Sequence, residues 1–518
     1  MVSQFARLLA AELEGIEARL VEVETDINVG LHSFNIVGLA DKAVSEAKER
    51  VNAALKNIGV KPPTKENRRI VVNLAPADLE KSGSQYDLAI ALGYLLASGQ
   101  IKPFETKDKI FIGELSLNGE LRPVSGVLSI ASLARRRGFH YLFLPRANAA
   151  EAALVRGLKI LPAADLNQII AHLEERELIR EQPPTELTAD KDNFTAGGID
   201  FSEIKGQFNA KRALLIAAAG GHNVLLTGAP GGGKTMLAQA LNSILPPLTL
   251  TEALEITRIW SAAGLLASRA FIEERPFRSP HHTASPVAIV GGGSNPRPGE
   301  ISLAHRGLLF LDELPEFRRD LLEALRQPLE SGQVAVARAK KHLVFPARFM
   351  LVAAMNPCPC GYFEDGETDC RCTAQEILRY GKKLSGPLLD RIDIQIVVPR
   401  VPLEQLLVQK TASGRRETAE LKSKIVMARD RQKERLAPRK KLLNSEMSSR
   451  DCDELLPLTA PANAFIKKVF DKSRLSARGY YRILKVSRTI ADLEGEEKIL
   501  PEYLSEAFGY RVRERIDI

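Results

Sequence analysis

The stretch Gly228-Ala229-Pro230-Gly231-Gly232-Gly233-Lys234-Thr235 constrains this chain more than any other, because few local structures tolerate so many glycines ahead of a lysine and a threonine. The apolar run Val224-Leu225-Leu226 precedes it and the helix-like Met236-Leu237-Ala238-Gln239-Ala240-Leu241 follows it. Strand, glycine loop and helix in that order are the context that G-x-x-x-x-G-K-[ST] requires. Glycines at positive φ let the backbone curl, so that successive N–H groups point inward at a helix N-terminus and cradle a phosphate. In such a cradle Lys234 reaches the β- and γ-phosphates, and the Thr235 hydroxyl is placed for Mg²⁺. The motif therefore predicts ATP and Mg²⁺ as cofactors. A chance glycine turn is the competing reading, and both flanks speak against it.

A phosphate cradle alone binds nucleotide; hydrolysis also needs groups that hold the metal and activate water. Gly307-Leu308-Leu309-Phe310-Leu311-Asp312-Glu313 supplies them. Its apolar residues read as a buried parallel strand with two acids at the carboxyl end, where ligands of open α/β sheets sit. Asp312 is expected at the Mg²⁺ and Glu313 at the attacking water. The alternative is a solvated pair of acids at a strand end.

With 518 residues the chain is long enough for about two to four domains. Its 45% hydrophobic and 26% charged residues are an ordinary globular balance. The net charge of +8 points to an anionic partner, part of which nucleotide alone accounts for. No apolar run approaches the roughly 20 residues of a membrane span, and Glu12 and Glu14 do not fit a signal peptide. A cytoplasmic protein without a membrane partner is predicted. Five cysteines, four of them clustered, argue against a secreted disulfide scaffold.

Residues 1–178 alternate short strand-like and helix-like segments. Arg19–Ile27 alternates with period two, Asp41–Ile58 has helical spacing behind an N-cap at Asp41, Arg69–Leu74 reads as a strand and Asp87–Leu96 as a buried helix. This is an α+β domain. Residues 179–198, with Pro183-Pro184 and Gly197-Gly198, have linker composition. The P-loop α/β domain is assigned to 199–400, with Ile204-Lys205-Gly206-Gln207 on the approach to helix Asn209–Ala219. Lys205 is read equally well as a nucleotide-side residue or a surface charge. Between the phosphate motifs lies Arg275-Pro276-Phe277-Arg278-Ser279-Pro280-His281-His282, where Ser279-Pro280 reads as a helix start rather than the histidines as metal ligands. Residues 401–518 turn helical and basic, notably Arg429 to Lys441, and are assigned to a lid whose last helices include Tyr481 to Leu493.

The first domain resembles the proteolytic domain of the Lon family, in the variant found in ATPases related to magnesium chelatase. The similarity runs through Leu79 to Leu88 and Gly113 to Gly126. Lon-like proteases use a Ser–Lys dyad in which a buried neutral lysine takes the serine's proton. Here the nucleophile position falls on Gln85 and the lysine position on Leu128. Ser82 and Ser84 lie nearby, but no lysine follows Gly126, so a non-proteolytic scaffold is expected.

Ala217 to Asn223, Phe277 to His282 and Ser385-Gly386-Pro387-Leu388-Leu389-Asp390-Arg391-Ile392-Asp393 together look like the magnesium-chelatase-like AAA+ ATPases of bacteria, and within that group the YifB/ComM family. The resemblance spans nearly the whole chain. It implies a homo-oligomeric ring, a hexamer, with ATP between neighbouring subunits. Leu351-Val352-Ala353-Ala354-Met355-Asn356 resembles the sensor strand whose Asn356 positions the attacking water; an end-of-strand Asn is otherwise a turn former. Arg391 matches the arginine finger that enters a neighbour's site. Arg478 resembles the second sensor, with Arg482 as the competing choice.

Cys358-Pro359-Cys360 and Cys370-Arg371-Cys372 offer four thiolates that can close a tetrahedral Zn²⁺ site, although C-x-C is tighter than the usual spacing. Reduced free cysteines in a loop are the alternative, and Cys452 reads as a buried small hydrophobe. Ser331 to Phe345 reads as a hairpin whose basic tip, with Arg338, Lys340 and Lys341, either is solvated or tracks DNA phosphates in a ring's pore. The expectation is a P-loop AAA+ α/β core with a helical lid behind an α+β Lon-like domain. The function the resemblance implies is an ATP-driven helicase that migrates branches on single-stranded or branched DNA, in recombination or natural transformation. The rival readings are a chelatase- or chaperone-like ATPase that remodels a protein partner, and a DNA-binding scaffold whose nucleotide only sets assembly.

Overall fold

A computed structural model describes residues 4–39, 41–65, 67–186, 199–266, 269–293, 295–338, 341–402, 404–405, 414–473 and 476–511. Its central feature is a sheet of five parallel strands in spatial order Phe277–Arg278, Leu308–Leu311, Met350–Met355, Val224–Thr227 and Ile394–Val397. Parallel strands joined by crossovers are buried on both faces, which is why Leu308–Leu311 and Met350–Met355 read as unbroken apolar runs. Alternate residues divide between two cores. Val224, Leu226, Leu308, Phe310, Val352 and Ile394 face the helices Phe208–Gly220, Lys234–Ile244 and Gly414–Leu436 together with the helices after Ser448. Leu225, Leu309, Leu311, Leu351 and Ala353 face the opposite core, with Ile259, Leu321 and Phe345.

The residues before this sheet form their own layers. Strands Phe5–Glu14, Glu17–Val29, Arg68–Ala75 and Ser33–Val37 pair in that order, and Lys109–Phe111, Tyr141–Pro145 and Lys159–Ala163 make a second, parallel sheet. Helix Asp87–Ala97 is almost wholly buried among them. The helical pattern of Asp41–Ile58 is realised as two pieces, Lys42–Ser45 and Ala47–Asn57, with the Asp41 carboxylate accepting from Val44 N at 2.8 Å as the N-cap. Of the linker expected at 179–198, residues 187–198 lie outside the described residues.

One helix start differs from expectation. It lies at Ser285-Pro286, not at Ser279-Pro280: Ser285 caps helix Pro286–Val290 through Ala288 N at 3.2 Å. Both pairs offer a cap followed by a proline, but only the second precedes an apolar run, Val287-Ala288-Ile289-Val290, that can bury a helix face. The hairpin is present as Gln333–Arg338 paired antiparallel with Lys341–Pro346, rooted by the buried Val334 and Phe345. Residues 339–340, Lys340 included, and the side chains of Arg338 and Lys341 lie outside what is described.

The turn between the first two strands enters the opposite core of the five-stranded sheet. Ile16 packs there with Leu309, Phe345 and Leu351, and its carbonyl accepts from Ser129 Oγ at 2.6 Å. Ser129 Oγ in turn accepts from Arg258 Nε at 3.1 Å, Arg258 pairs with Glu17, and Gly126 N donates to Ser261 O at 3.0 Å. The amino-terminal layers are thus seated through an apolar plug ringed by polar contacts. Ile16→Ala should lower stability by about 2–4 kcal/mol in denaturant unfolding, while Val29→Ala, at a position 89% exposed, should change it by less than about 0.5 kcal/mol.

Candidate nucleotide site

The glycine loop joins strand Val224–Thr227 to helix Lys234–Ile244, with Gly231 and Gly233 at φ of +81° and +85°. Nothing lies within 4 Å of where a Cβ would point on either glycine, and a loop of this conformation is of the kind that cradles phosphate. Gly228 is required for another reason: a Cβ there would stand 2.2 Å from Val398 O. Lys234 is 9% exposed, and its ammonium donates to Gly228 O at 2.7 Å, Ala229 O at 3.0 Å and Asn356 Oδ1 at 3.1 Å. Burial pulls its pKa down, against the opposing pull of Asp312 and Glu313. A cation parked on carbonyls with an open cradle beside it is suited to exchange those weak acceptors for phosphate oxygens.

Asp312 stands at the end of strand Leu308–Leu311, and its Oδ2 accepts from Thr235 Oγ1 at 2.8 Å. A hydroxyl and a carboxylate side by side at the mouth of the loop are the hard oxygen donors that Mg²⁺ takes. Glu313 sits in the left-handed region, φ +51° and ψ +46°, a conformation that costs a non-glycine residue energy and gathers at functional sites. Its carboxylate lies 3.4 Å from His282 Nδ1. His282, whose ring also meets His281 and Phe317, is therefore a partner of the candidate base rather than a metal ligand. As sequence, His282 was weighed only as a metal ligand, and no local signal announced this carboxylate contact. Gln207, at φ +55°, bridges Gly232 O at 3.3 Å and Pro399 O at 2.6 Å, which puts the Ile204–Gln207 segment against the loop.

Arg391 is elsewhere. It precedes strand Ile394–Val397, which runs parallel to Val224–Thr227 in the register Val224↔Ile394, so it emerges at the amino end of the sheet while the glycine loop leaves from the carboxyl end. The strands between the two ends span about 13 Å. Arg391 pairs with Glu330 and donates to Pro387 O at 2.7 Å. Arg391, Arg478 and Arg482 line one cavity of about 1230 Å³ at that end, beside Glu330, Asn223 and Asp393. Arg478 is exposed, whereas Arg482 is bound to Asp393 Oδ1 at 2.9 Å. The three arginines hold Glu330 below the usual carboxylate range, led by the hydrogen bond from Arg391.

Asp393 ties lid to sheet, through Arg482 and through His222 Nδ1 at 3.3 Å, whose Nε2 meets Thr489 Oγ1 at 2.8 Å. Arg429 and Gln432, in the basic stretch of the lid, are likewise structural: they donate to Ala218 O at 2.6 Å and Ala219 O at 3.2 Å. Of the cysteines, Cys452 is buried in the lid core as expected, and the Sγ atoms of Cys358, Cys360, Cys370 and Cys372 lie within 4.8 Å of one another.

In the amino-terminal layers no serine meets a lysine among the contacts described. Gln85 Nε2 donates to Glu12 Oε2 at 2.8 Å, and Leu128 is buried in helix Val127–Arg136. Ser82 Oγ donates to Glu12 Oε1 at 3.0 Å, Ser84 to Glu114, and the fully buried Lys81 to Pro76 O.

Burial pushes the Asp393 pKa up, but the Arg482 charge and the His222 hydrogen bond outweigh it and leave the group far below the ordinary carboxylate value. Its ionised form therefore stabilises the fold above the unfolded-state pKa of about 3.9 and loses that contribution as pH falls below it. Denaturant unfolding between pH 6 and pH 3 should show stability falling with pH in the wild type, and a shallower fall in Asp393→Asn.

Three family models match the chain: Subunit ChlI of Mg-chelatase over residues 23–148, Magnesium chelatase, subunit ChlI over 200–406, and its C-terminal region over 415–511. The chain is 45% identical to "Competence protein ComM" of Haemophilus influenzae, covering 97% of this chain and 96% of that protein. It is 41% identical to "Uncharacterized protein YifB" of Escherichia coli over the same shares of both chains. "Magnesium-chelatase 38 kDa subunit" of Acidiphilium rubrum is 27% identical over 61% of this chain and 90% of that protein.

Proposed function

The chain belongs to the YifB/ComM family of magnesium-chelatase-like proteins, and from that premise we propose that it is an AAA+ ATPase whose hydrolysis drives work on DNA. The observation that carries the ATPase reading is the convergence of Lys234, Thr235, Asp312 and Asn356 on one mouth at the carboxyl end of the sheet. Mg²⁺, held by Thr235 and Asp312, would neutralise phosphate charge there. Lys234 moves from the loop carbonyls to the phosphates. Glu313 turns from His282 to the water and takes its proton, and Asn356 orients that water. The loop Gly228 to Thr235 binds the phosphates through its backbone N–H groups, except at Pro230, which has none.

Arg391 is too far from its own glycine loop to serve it, which supports a ring in which each subunit's Arg391 completes the neighbour's site. Arg478 shares its cavity and is assigned to that same face. A hexamer is the assembly proposed. Glu313→Gln should lower kcat by about 10²–10⁴-fold while retaining nucleotide binding. Arg391→Ala should lower it by about 10³-fold or more, and mixed with wild type it should depress activity below the fraction of intact subunits. Activity linear in that fraction would exclude a finger acting between subunits.

For the substrate, the chain's net charge of +8, the basic hairpin and the description of one relative as a competence protein favour single-stranded or branched DNA in the cytoplasm. The proposed work is branch migration that helps single strands integrate during recombination or transformation. The ATPase rate should rise most with single strands or a four-way junction, and the stimulation should fall as salt rises. A second reading, a chelatase- or chaperone-like ATPase acting on a protein partner, draws on the likeness to the magnesium-chelatase subunit, and a rate indifferent to all DNA would favour it. The amino-terminal layers are proposed as a non-proteolytic Lon-like scaffold, since Gln85 and Leu128 occupy the dyad positions.

A further inference from the structure

We propose that Cys358, Cys360, Cys370 and Cys372 bind one zinc ion, and that the metal-closed loop is a buttress behind the glycine loop that sets nucleotide affinity. The metal half stands on the cysteines alone. The buttress half rests on the nucleotide reading above.

The four Sγ atoms are mutual neighbours. Cys358 and Cys360 are 3.4 Å apart, Cys358 and Cys370 3.7 Å, Cys360 and Cys370 3.6 Å, and all four lie within 4.8 Å. Four thiolates at about 2.3 Å from one tetrahedral ion stand about 3.8 Å from each other. The three distances among Cys358, Cys360 and Cys370 are close to that figure and far beyond the roughly 2.05 Å of a disulfide, and Cys372 lies within 4.8 Å of each. So tight a set encloses one ion and leaves no room for a multi-iron cluster. Backbone groups supply the second support: Phe363 N donates to Cys358 Sγ at 3.3 Å and Cys360 N to Cys372 Sγ at 3.4 Å. Such N–H donors aimed at sulfur stabilise negative charge on thiolates and fix their direction, as outer-shell partners of a metal do. Soft sulfur ligands in tetrahedral array select zinc over the hard cation of the nucleotide site.

The loop so closed touches the glycine loop. Gly361, held at φ +89° in the turn closed by its N–H to Cys358 O at 3.0 Å, sits against Pro230. A Cβ on Gly361 would stand 2.7 Å from Pro230 Cδ and 3.8 Å from Asn356 Cγ. Asn356 Oδ1 is the side-chain acceptor for Lys234. The loop is also held by Arg400, which pairs with Asp365 at 3.3 Å and Glu367 at 3.4 Å and covers the Tyr362 ring at 5.5 Å. One cluster of sulfur atoms thereby fixes the position of Pro230 and of the Asn356 amide.

The test uses full-length protein, freshly purified and reduced without chelator. Elemental analysis should give one zinc per chain, and Co²⁺ exchanged for it should show the visible d–d bands of a tetrahedral tetrathiolate. The variant Cys360→Ser with Cys372→Ser should lose the metal. Removing zinc from the wild type should weaken binding of a fluorescent ATP analogue by about 5–150-fold, with ZnCl₂ and not MgCl₂ restoring it, and by linkage the analogue should tighten zinc by the same factor. Gly361→Ala, which keeps all four ligands, should retain zinc yet weaken the analogue, a readout that survives if the cysteine variant fails to fold. Protein without stoichiometric zinc and with four freely titrating thiols overturns the proposal, as does stoichiometric iron in zinc's place. Full zinc with nucleotide affinity unmoved by its removal and by Gly361→Ala overturns the buttress. Wild type that carries zinc but binds no nucleotide refutes the nucleotide reading, and the buttress with it.

Discussion

Parallel pairing is the constraint on which the rest depends. Once Val224–Thr227 lies parallel to both Met350–Met355 and Ile394–Val397, every strand of the sheet leaves its carboxyl end on the same edge. The glycine loop, Asp312, Glu313 and Asn356 are the residues that follow those strands, and they meet without any long-range side-chain contact having to bring them together. Arg391, Asn223 and Asp393 precede strands of the same sheet and are collected on the opposite edge by the same rule. The division of charged groups between the two edges is a property of topology before it is one of chemistry.

This explains what could be read in the sequence. Buried parallel strands are continuous apolar runs and the residues at their ends are the first polar ones, so Leu308–Leu311 with Asp312 and Leu351–Met355 with Asn356 announce both strand and site. The lid and the amino-terminal helices carry helical spacing and caps that are equally local, as at Asp41. Contacts between distant segments left no such trace. His282 is separated from Glu313 by a crossover, and nothing in its own neighbourhood announces a carboxylate partner. Ser279-Pro280 and Ser285-Pro286 are alike as local signals, and the choice between them is made by which following residues reach a core. The four cysteines showed a ligand set but not its closure, because the nine residues between the pairs could have held them apart.

Charge shows the same limit from another side. The net charge pointed to an anionic partner, yet in the basic carboxyl-terminal stretch Arg435 is committed to Asp492 at 2.6 Å and Arg429 to a helix-end carbonyl. A guanidinium has a planar fork of donors, and a helix C-terminus offers unpaired carbonyls, so arginine is well suited to brace one helix against the end of another. Composition counts such groups as free charge, whereas packing uses them as struts.

The plug formed by Ile16 bears on how this chain divides into parts. The strand turn that carries it belongs by sequence to the first layers and by burial to the face of the parallel sheet. A boundary drawn where the composition changes would therefore cut through a shared core, leaving an uncovered apolar socket around Leu309 and Phe345 on one fragment and a protruding isoleucine on the other. The two portions are distinct as folds and continuous as solids: any shift of the parallel sheet is delivered directly to the layers in front of it.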